Sequence, residues 1–333
     1  MSDMLTAIYG VGAYTPQKVL SNLDFCRTLD TSDEWITSRT GIKERRIADP
    51  AEATSDLCLI AARAAIKDAQ IKLEQIDLII VATITPDFPF PSSACLLQQK
   101  LGLAELKIPA FDLSAACSGF IYGLSVAQAY ISSGIARHVL VVGAEILSRL
   151  IDYTDRGTCI LFGDGAGAVV LGPDRQDGPS HPLLSIKMYA DGRGAHMLHV
   201  PAGGSACPAS QATLEEKKHY VRIDGQEVFR FGVTTVVDLI RDAMDRHQLK
   251  REDLGAIIPH QANIRIIKSA AERLELPLDL FVTNIERYGN TSAASVPIAL
   301  DEASHSGRLP KGKPIILLAF GAGLTWASTV VRW

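Results

Sequence analysis

The sequence predicts an α/β protein built from two related halves. Short apolar runs of strand length alternate along the chain with segments of helical periodicity, a pattern typical of sheets covered by helices. Amphipathic helices are predicted at 55–69 and 263–276. The runs predicted as buried strands are 77–82, 139–142, 168–171, 256–258 and 315–318.

The second half of the chain repeats features of the first. The run Leu-Ile-Ile-Val-Ala-Thr-Ile-Thr-Pro at 78–86 resembles Leu-Gly-Ala-Ile-Ile-Pro-His-Gln at 254–261. Likewise, Phe-Gly-Asp-Gly-Ala-Gly at 162–167 resembles Phe-Gly-Ala-Gly at 320–323, and we expect a glycine-rich turn before a final strand in both places. A duplication is the simplest interpretation. The two predicted halves are residues 1–175 and 176–333.

Composition excludes several classes of protein. The 333 residues are 47% hydrophobic, which is enough for a large core. The formal net charge of −4 argues against a nucleic-acid-binding protein. The longest apolar runs fall well short of the roughly 20 residues of a membrane span.

The cysteines and the N-terminus predict a cytoplasmic protein. None of the six cysteines forms a C-x-x-C pair, so the spacing indicates neither a zinc site nor a redox pair. The N-terminal segment carries Asp3 and no basic residue before Lys18, which does not fit a signal peptide. We therefore expect free thiols in a reducing compartment.

One cysteine lies where a strand is predicted to give way to a helix. Cys117 follows the extended segment 110–114 and precedes a helix that ends near Gly134. A helix N-terminus presents unpaired N–H groups and partial positive charge, so we expect it to favour the thiolate. A buried structural cysteine is the alternative, and for a single cysteine it is the commoner case.

Two further turns carry residues that complement a thiol. His260 follows the predicted strand 256–258 and precedes a helix, where α/β proteins commonly place functional side chains. Asn290 lies in a Gly-Asn pair that could equally be an ordinary turn or helix cap. Taken together, a nucleophile, an imidazole and an amide donor favour acyl transfer through a thioester.

Other motifs have simpler explanations. The glycines at 163–167 are followed by a predicted strand and not by a helix, so they do not fit a phosphate-binding loop. His196 and His199 have the spacing of a metal pair, but no third ligand is evident, and no metal site is predicted.

Three segments resemble the active-site segments of β-ketoacyl-acyl-carrier-protein synthase III, a family of the thiolase superfamily. They are 114–119 (Ser-Ala-Ala-Cys-Ser-Gly), 259–263 (Pro-His-Gln-Ala-Asn) and 289–295 (Gly-Asn-Thr-Ser-Ala-Ala-Ser). The resemblance extends over essentially the whole chain in the family's order. Further similar segments are 31–36, 39–42, 154–157, 162–167 and 320–326.

The resemblance implies a thiolase-like five-layer αβαβα sandwich made from two duplicated halves, usually as a homodimer. It also implies the first condensation of type II fatty-acid synthesis. In that reaction acetyl-CoA, or another short acyl-CoA, and malonyl-ACP (the malonyl thioester of acyl carrier protein) give acetoacetyl-ACP, CO₂ and CoA. The implied partners are acyl carrier protein and acyl-CoA, which is a substrate, so no cofactor, metal, nucleic acid or membrane is implied.

The same resemblance implies roles for individual residues. Cys117 would attack the acyl-CoA thioester and retain the acyl group. The backbone N–H groups of Cys117 and Ala322 would form the oxyanion hole. His260 and Asn290 would hydrogen-bond the malonyl thioester carbonyl while the malonyl group loses CO₂.

The remaining implied residues bind substrates and partners. Those implied to bind CoA are Trp35, Arg39 and Arg156 at the adenine end and Thr31, Gly225 and Asn263 along the pantetheine tunnel. Those implied to shape the acyl pocket are Leu147, Phe162 and Phe90 of the partner subunit. Those implied to contact acidic acyl carrier protein are Arg265, Lys268 and Arg230.

Four alternatives differ in chemistry or substrate. A thiolase would need a second cysteine near the C-terminus, and the 320–326 segment contains none. A Cys/His/Asn hydrolase would leave the glycine-rich motifs unexplained. An inactive partner subunit would be expected to lack Cys117. A related synthase of secondary metabolism, using a different acyl primer, is the fourth alternative.

Overall fold

The computed structural model describes residues 5–175 and 178–333. Residues 176 and 177, which follow the predicted boundary at 175, lie outside the described part of the chain, and so do residues 1–4. The strands are β1 Thr6–Tyr14, β2 Lys18–Ser21, β3 Glu44–Ile47, β4 Leu78–Ala82, β5 Ala110–Leu113, β6 Val139–Ile146, β7 Asp164–Pro173, β8 His181–Ala190, β9 Leu198–His199, β10 Arg222–Ile223, β11 Ala256–Pro259, β12 Pro314–Gly321 and β13 Thr325–Arg332.

Ten α-helices and several single 3-10 turns connect the strands within the described residues. The α-helices are α1 Asn22–Phe25, α2 Asp33–Thr40, α3 Thr54–Asp68, α4 Ser93–Leu101, α5 Gly119–Ser132, α6 Gln211–Glu215, α7 Gly225–Arg246, α8 Ile264–Arg273, α9 Ile285–Tyr288 and α10 Ser295–His305. The 3-10 helices are Leu73–Gln75, Ala104–Leu106, Ala116–Ser118, Leu147–Leu150, Gly192–Met197, Arg251–Asp253, Leu278–Leu280 and Ser292–Ala294.

Nine strands form one mixed sheet in the order β11-β12-β13-β8-β1-β7-β6-β4-β5. Strands β1 and β8 meet through two residue pairs, Ala7 with Pro182 and Ile8 with His181, whereas β1 pairs with β7 along almost its full length. The sheet therefore divides at this short junction into a five-stranded part and a four-stranded part.

The two parts of the sheet share one connectivity. In the first, β4 and β6 are parallel, and β7 and β1 follow antiparallel. In the second, β11 and β12 are parallel, and β13 and β8 follow antiparallel. In the second part, an isolated parallel bridge between Ile257 and Phe281 corresponds to the pairing of β4 with β5 in the first part. The resemblance between 78–86 and 254–261 thus reflects equivalent strands.

Helices form three layers around the two parts of the sheet. Helices α3 and α4 cover the outer face of the five-stranded part, and α7 and α8 cover that of the four-stranded part. Helices α5 and α10 lie between the parts and contact strands of both. The buried side chains Phe120, Leu124 and Leu300 belong to this central core. The predicted five-layer αβαβα arrangement is confirmed.

The glycine-rich segment 162–167 does not form the turn that was predicted before the strand. Strand β7 begins at Asp164, so Gly165 and Gly167 lie within a strand and not in a turn before it. A Cβ at Gly167 would lie 2.6 Å from Cβ of Pro297, because α10 packs directly on this strand. Close packing and not turn geometry therefore accounts for these glycines.

Candidate active site

The predicted strand-to-helix turn at Cys117 is confirmed. Strand β5 ends at Leu113, one 3-10 turn holds Ala116–Ser118, and α5 begins directly after it. Ala116 has a φ of 45°, in the left-handed region that a non-glycine residue rarely adopts. This strained residue directs the next side chain inward, and Cys117 is only 6% exposed.

Burial outweighs the preference for the thiolate that is expected from the helix N-terminus. Burial raises the pKa of the Cys117 thiol to about 12, and the neighbouring Ser292 side chain lowers it by less. Desolvation penalises the thiolate more than the turn favours it. The resting nucleophile is a neutral thiol, so its proton must leave when it reacts.

His260 lies directly after β11 as a neutral imidazole. Its backbone N–H donates to the Leu318 carbonyl at 2.8 Å, which holds it beside β12. Its Nδ1 lies 2.6 Å from Oγ of Ser295. The ring is buried, and burial lowers the pKa of His260 to about 3.

The Ser295 hydroxyl can set the tautomer of that imidazole. The Gln261 backbone N–H donates to Ser295 Oγ at 3.4 Å, and the hydroxyl proton can then be donated to Nδ1 of His260. The ring hydrogen then lies on Nε2. His260 is therefore a neutral hydrogen-bond donor towards the cavity.

Asn290 is held by its own turn. Its Oδ1 accepts from the Ser292 backbone N–H at 2.9 Å, so the amide NH₂ remains available as a donor. Its backbone N–H donates to the Leu161 carbonyl at 2.8 Å. The preceding Gly289 has a φ of 63°, and a Cβ there would lie 2.8 Å from the Leu161 oxygen. Glycine is therefore required before the asparagine.

The three predicted catalytic residues meet at one cavity. Cys117, His260 and Asn290 all line a narrow cavity of about 100 Å³. Phe320 closes one side, with its ring centroid 5.6 Å from that of His260 in an edge-on contact. The cavity thus places a thiol and two neutral hydrogen-bond donors around one small volume.

This cavity adjoins a surface groove of about 580 Å³. Gly225 and Asn263 line both spaces, as predicted residues of a substrate tunnel should. Asn263 caps α8 by accepting from the Arg265 N–H, and its Nδ2 donates to the Arg39 carbonyl at 3.1 Å. A thin substrate arm could therefore extend from the groove to Cys117.

Two arginines flank the tryptophan at the outer end of the groove. The guanidinium carbon of Arg156 lies 4.9 Å from the Trp35 ring centroid, and that of Arg39 lies 5.4 Å from it. Arg156 also donates to the Asp30 carbonyl at 2.5 Å. This group offers a flat aromatic surface and two positive charges, which suit an adenine nucleotide.

Two residues predicted for the substrate sites do not line these spaces. Thr31 lines neither the cavity nor the groove, and its buried hydroxyl has no hydrogen-bond partner among the described residues. Phe90 is 85% exposed and does not reach the cavity of its own chain. By contrast, Phe162 lines the cavity, and Leu147 is buried in the same apolar cluster.

Ala322 lies in the turn between β12 and β13, close to the nucleophile. Thr325 Oγ1 lies 3.0 Å from the Ala115 carbonyl oxygen and 3.1 Å from that of Ala322, so it ties this turn to the Cys117 turn. The preceding Gly321 lines the cavity. A Cβ there would lie 2.8 Å from both N and Cβ of Cys117.

The predicted carrier-protein contacts lie on the surface near the groove. Arg265 and Arg230 both line the groove and are exposed. Arg265 stacks on Phe229 at 5.4 Å, and Arg230 is paired with Glu227 at 2.8 Å. Lys268 is exposed one turn further along α8.

Several site residues were missed by sequence reasoning. Gly321, Ser292 and Ser295 all lie inside segments that resemble the family. Their closeness in sequence to the predicted catalytic residues could have identified them. Glu145 had no such signal, because it lies at the end of an apolar strand and reaches the site through folding alone.

No cluster of three or more potential metal ligands occurs in residues 5–175 and 178–333. Over the same ranges, no helix has the length and apolar character needed to span a bilayer.

Family models and several curated relatives that match this chain belong to one family. Residues 111–192 match the family model described as 3-oxoacyl-[acyl-carrier-protein (ACP)] synthase III, and residues 244–333 match the model of its C-terminal part. The β-ketoacyl-[acyl-carrier-protein] synthase III of Caldanaerobacter subterraneus subsp. tengcongensis is 52% identical to this chain, covering 98% of it and 97% of the relative.

Solved structures agree with this comparison. The crystal structure of 3-oxoacyl-[acyl-carrier-protein] synthase III from Aquifex aeolicus VF5 superposes with a TM-score of 0.88 at 45% identity, covering 98% of this chain and 100% of that one. The corresponding enzyme of Pseudomonas aeruginosa PAO1 gives a TM-score of 0.90 at 42% identity, covering 99% and 98%.

Proposed function

The chain belongs to the 3-oxoacyl-[acyl-carrier-protein] synthase III family, and from this we propose how its residues carry out the family's reaction. The protein is an acyltransferase that initiates fatty-acid synthesis. It condenses acetyl-CoA, or another short acyl-CoA, with malonyl-ACP to give acetoacetyl-ACP, CO₂ and CoA. The acyl group passes through a thioester on the enzyme.

In the first half-reaction, Cys117 attacks the acyl-CoA carbonyl. The carbonyl oxygen becomes an oxyanion and is stabilised by the backbone N–H groups of Cys117 and Ala322. The link through Thr325 supports this role, because it holds the two turns together. The carbon–sulfur bond to CoA then breaks, and the acyl group stays on Cys117.

In the second half-reaction, malonyl-ACP occupies the same cavity. Its thioester oxygen accepts hydrogen bonds from Nε2 of His260 and Nδ2 of Asn290. As CO₂ leaves, negative charge develops on that oxygen, and the two donors stabilise it. Because the charge on that oxygen grows, both hydrogen bonds are stronger to the enolate than to the ground-state carbonyl. The enolate carbon then attacks the acyl carbon on Cys117, the bond from that carbon to Sγ breaks, and acetoacetyl-ACP leaves while the cysteine sulfur is released and reprotonated.

The groove binds the long arm of each substrate. We propose that the adenine end of CoA lies against Trp35, between Arg39 and Arg156, and that the pantetheine arm passes Gly225 and Asn263. Phe162 and Leu147 limit the acyl group. Thr31 is proposed to contact the pantetheine arm, because its buried hydroxyl has no hydrogen-bond partner among the described residues.

The surface around the groove receives the carrier protein. Exposed Arg265, Lys268 and Arg230 would bind its acidic face. We also propose a homodimer, in which Phe90 of the partner subunit completes the acyl pocket. The 85% exposure of Phe90 supports a contact outside the single chain.

No cofactor enters this chemistry, since the reacting bonds are those of the two thioesters. We propose that the enzyme works in the cytoplasm. Its six cysteines are all free, as suits a reducing compartment.

The convergence of Cys117, His260 and Asn290 on one cavity carries this proposal. Mixing the protein with acetyl-CoA should add one acetyl group by intact mass, and peptide mapping should place it on Cys117. Cys117→Ala should abolish the label. Cys159→Ala, which removes another buried thiol, should retain it. Label on a different cysteine would contradict the assignment.

A further inference from the structure

The reaction described above gives no role to the buried acid nearest the nucleophile. Glu145 lies in β6 and is fully buried. Its carboxylate accepts hydrogen bonds from Thr85 Oγ1 at 2.5 Å and from the Ile84 backbone N–H at 3.2 Å. Among the described residues it has no cationic partner, which is unusual for a buried carboxylate.

Ser292 connects this acid to the nucleophile. Its hydroxyl donates to Glu145 Oε1 at 3.1 Å, and the 3-10 turn that carries it packs against the turn of Cys117, so that its side chain lowers the pKa of the thiol. Ser292 has a φ of 48°, in the left-handed region. Such strain at a non-glycine residue indicates that the surrounding structure holds the hydroxyl in this place.

The charges of the acid and the thiol oppose each other. Burial raises the pKa of Glu145 to about 7, and the negative charge of Glu145 in turn raises that of Cys117. Two neighbouring negative charges in a buried site are unfavourable, so the Glu145–Cys117 pair carries a single negative charge. Moving a proton from sulfur to the carboxylate keeps that single charge and transfers it to the nucleophile.

His260 is poorly suited to take this proton. Its Nδ1 accepts from Ser295, and its Nε2 carries the hydrogen that the second half-reaction uses. Burial lowers its pKa to about 3, which makes it a weak base. The Glu145 carboxylate, one serine hydroxyl away from the thiol, is better suited to accept it.

We propose that Glu145 accepts the Cys117 proton through the Ser292 hydroxyl as the thiol attacks acyl-CoA. Ser292 takes the thiol proton and passes its own to the carboxylate, while a bond forms between Sγ and the acyl carbon. The bond from that carbon to the CoA sulfur then breaks. The proton returns along the same path to the departing sulfur, so CoA leaves as a thiol and Glu145 is ionised again.

This proposal rests on the proposed function and predicts a distinct pH profile. Acylation requires ionised Glu145, so its rate should rise with pH through about 7 and then level off. The titratable groups facing Glu145 are Cys117 and, from α3, Cys58. Burial raises the pKa of both thiols well above this range, so neither should produce an inflection near pH 7.

The test is rapid-mixing acylation by acetyl-CoA across pH, using Glu145→Gln and Ser292→Ala. We expect each variant to be acylated at least about tenfold more slowly at pH 7 and to lose the inflection. Ser292→Ala retains the hydrogen bonds of Glu145 to Thr85 and Ile84. This variant therefore still tests the relay if Glu145→Gln does not fold. Malonyl-ACP decarboxylation by each variant should fall far less than acylation.

Matched controls come from a second buried serine–carboxylate pair. Ser148 Oγ donates to Asp164 at 2.6 Å, away from the thiol. Ser148→Ala and Asp164→Asn should keep the wild-type pH profile of acylation.

Three outcomes would overturn the relay. Acylation of Glu145→Gln at the wild-type rate or faster would refute it, because that is the result expected if the acid only repels the thiolate. Equal losses of acylation and decarboxylation would indicate a structural role. Retention of the inflection in both variants would assign it to another group. A wild-type enzyme that is not acylated on Cys117 would instead refute the proposed function.

Discussion

The Ser295 hydroxyl oxygen lies 2.6 Å from Nδ1 of His260 and orients the imidazole on which decarboxylation depends. Ser295→Ala should therefore slow malonyl-ACP decarboxylation by about tenfold or more, because the ring loses its fixed tautomer. Acylation of Cys117 should change little. Ser185→Ala is the matched control, since Ser185 makes a similar 2.7 Å bond to His247. A parallel loss of both half-reactions would refute the tautomer role.

Asn290→Ala should separate the half-reactions most clearly. The amide donates to the malonyl thioester oxygen, so decarboxylation should fall by about a hundredfold or more. The acetyl group does not need this donor, and acylation should remain within a few-fold of wild type. Release of CO₂ from malonyl-ACP and acetyl transfer to Cys117 are measured separately. Equal effects on the two rates would contradict the assignment.

Gly321→Ala should impair the nucleophile directly. The new Cβ would lie 2.8 Å from N and Cβ of Cys117, so the turn must shift and the oxyanion hole with it. We expect acylation to fall by about a hundredfold. Gly192→Ala is the control, because a Cβ there meets no atom within 4 Å. Normal acylation by the Gly321 variant would show that the turn adapts.

Arg156→Ala should weaken CoA binding without altering the chemistry. The arginine stacks 4.9 Å from the Trp35 ring centroid, outside the cavity. KM for acetyl-CoA should rise about tenfold while kcat stays near the wild-type value. Arg193→Ala removes a comparable exposed charge, one paired with Asp191, and should leave KM unchanged. A fall in kcat with constant KM would place Arg156 elsewhere in the mechanism.

Buried His260 should make the fold sensitive to acid. Its pKa is about 3 in the folded protein and near 6.5 in the unfolded chain, so the unfolded state binds the extra proton between these values. Its contribution to stability is complete above about pH 6.5 and is lost towards pH 3, with a slope of about 1.4 kcal/mol per pH unit. Denaturant titrations from pH 7 to 4 should show a shallower decline for His260→Asn. His199→Asn, on the surface, should decline like wild type.

The sequence predicted the fold and the three converging residues because each depends on local signals. The strands at 78–82 and 256–259 are apolar runs, and Cys117, His260 and Asn290 each occupy a recognisable turn. The expected preference of Cys117 for the thiolate is outweighed by burial, which sequence position does not report. Glu145 was missed for the same reason, since strands β4 and β6 bring it to the site from distant parts of the chain.

The strained residues Ala116 and Ser292 occupy equivalent places in the two sheet repeats, each at the start of a 3-10 turn that leads into a central helix. The position after Ala116 is Cys117, and the position after Ser292 is Ala293. The two repeats therefore share this turn, but the residue that follows the strained position carries sulfur in the first and a methyl group in the second. Each chain should accordingly carry a single acyl group.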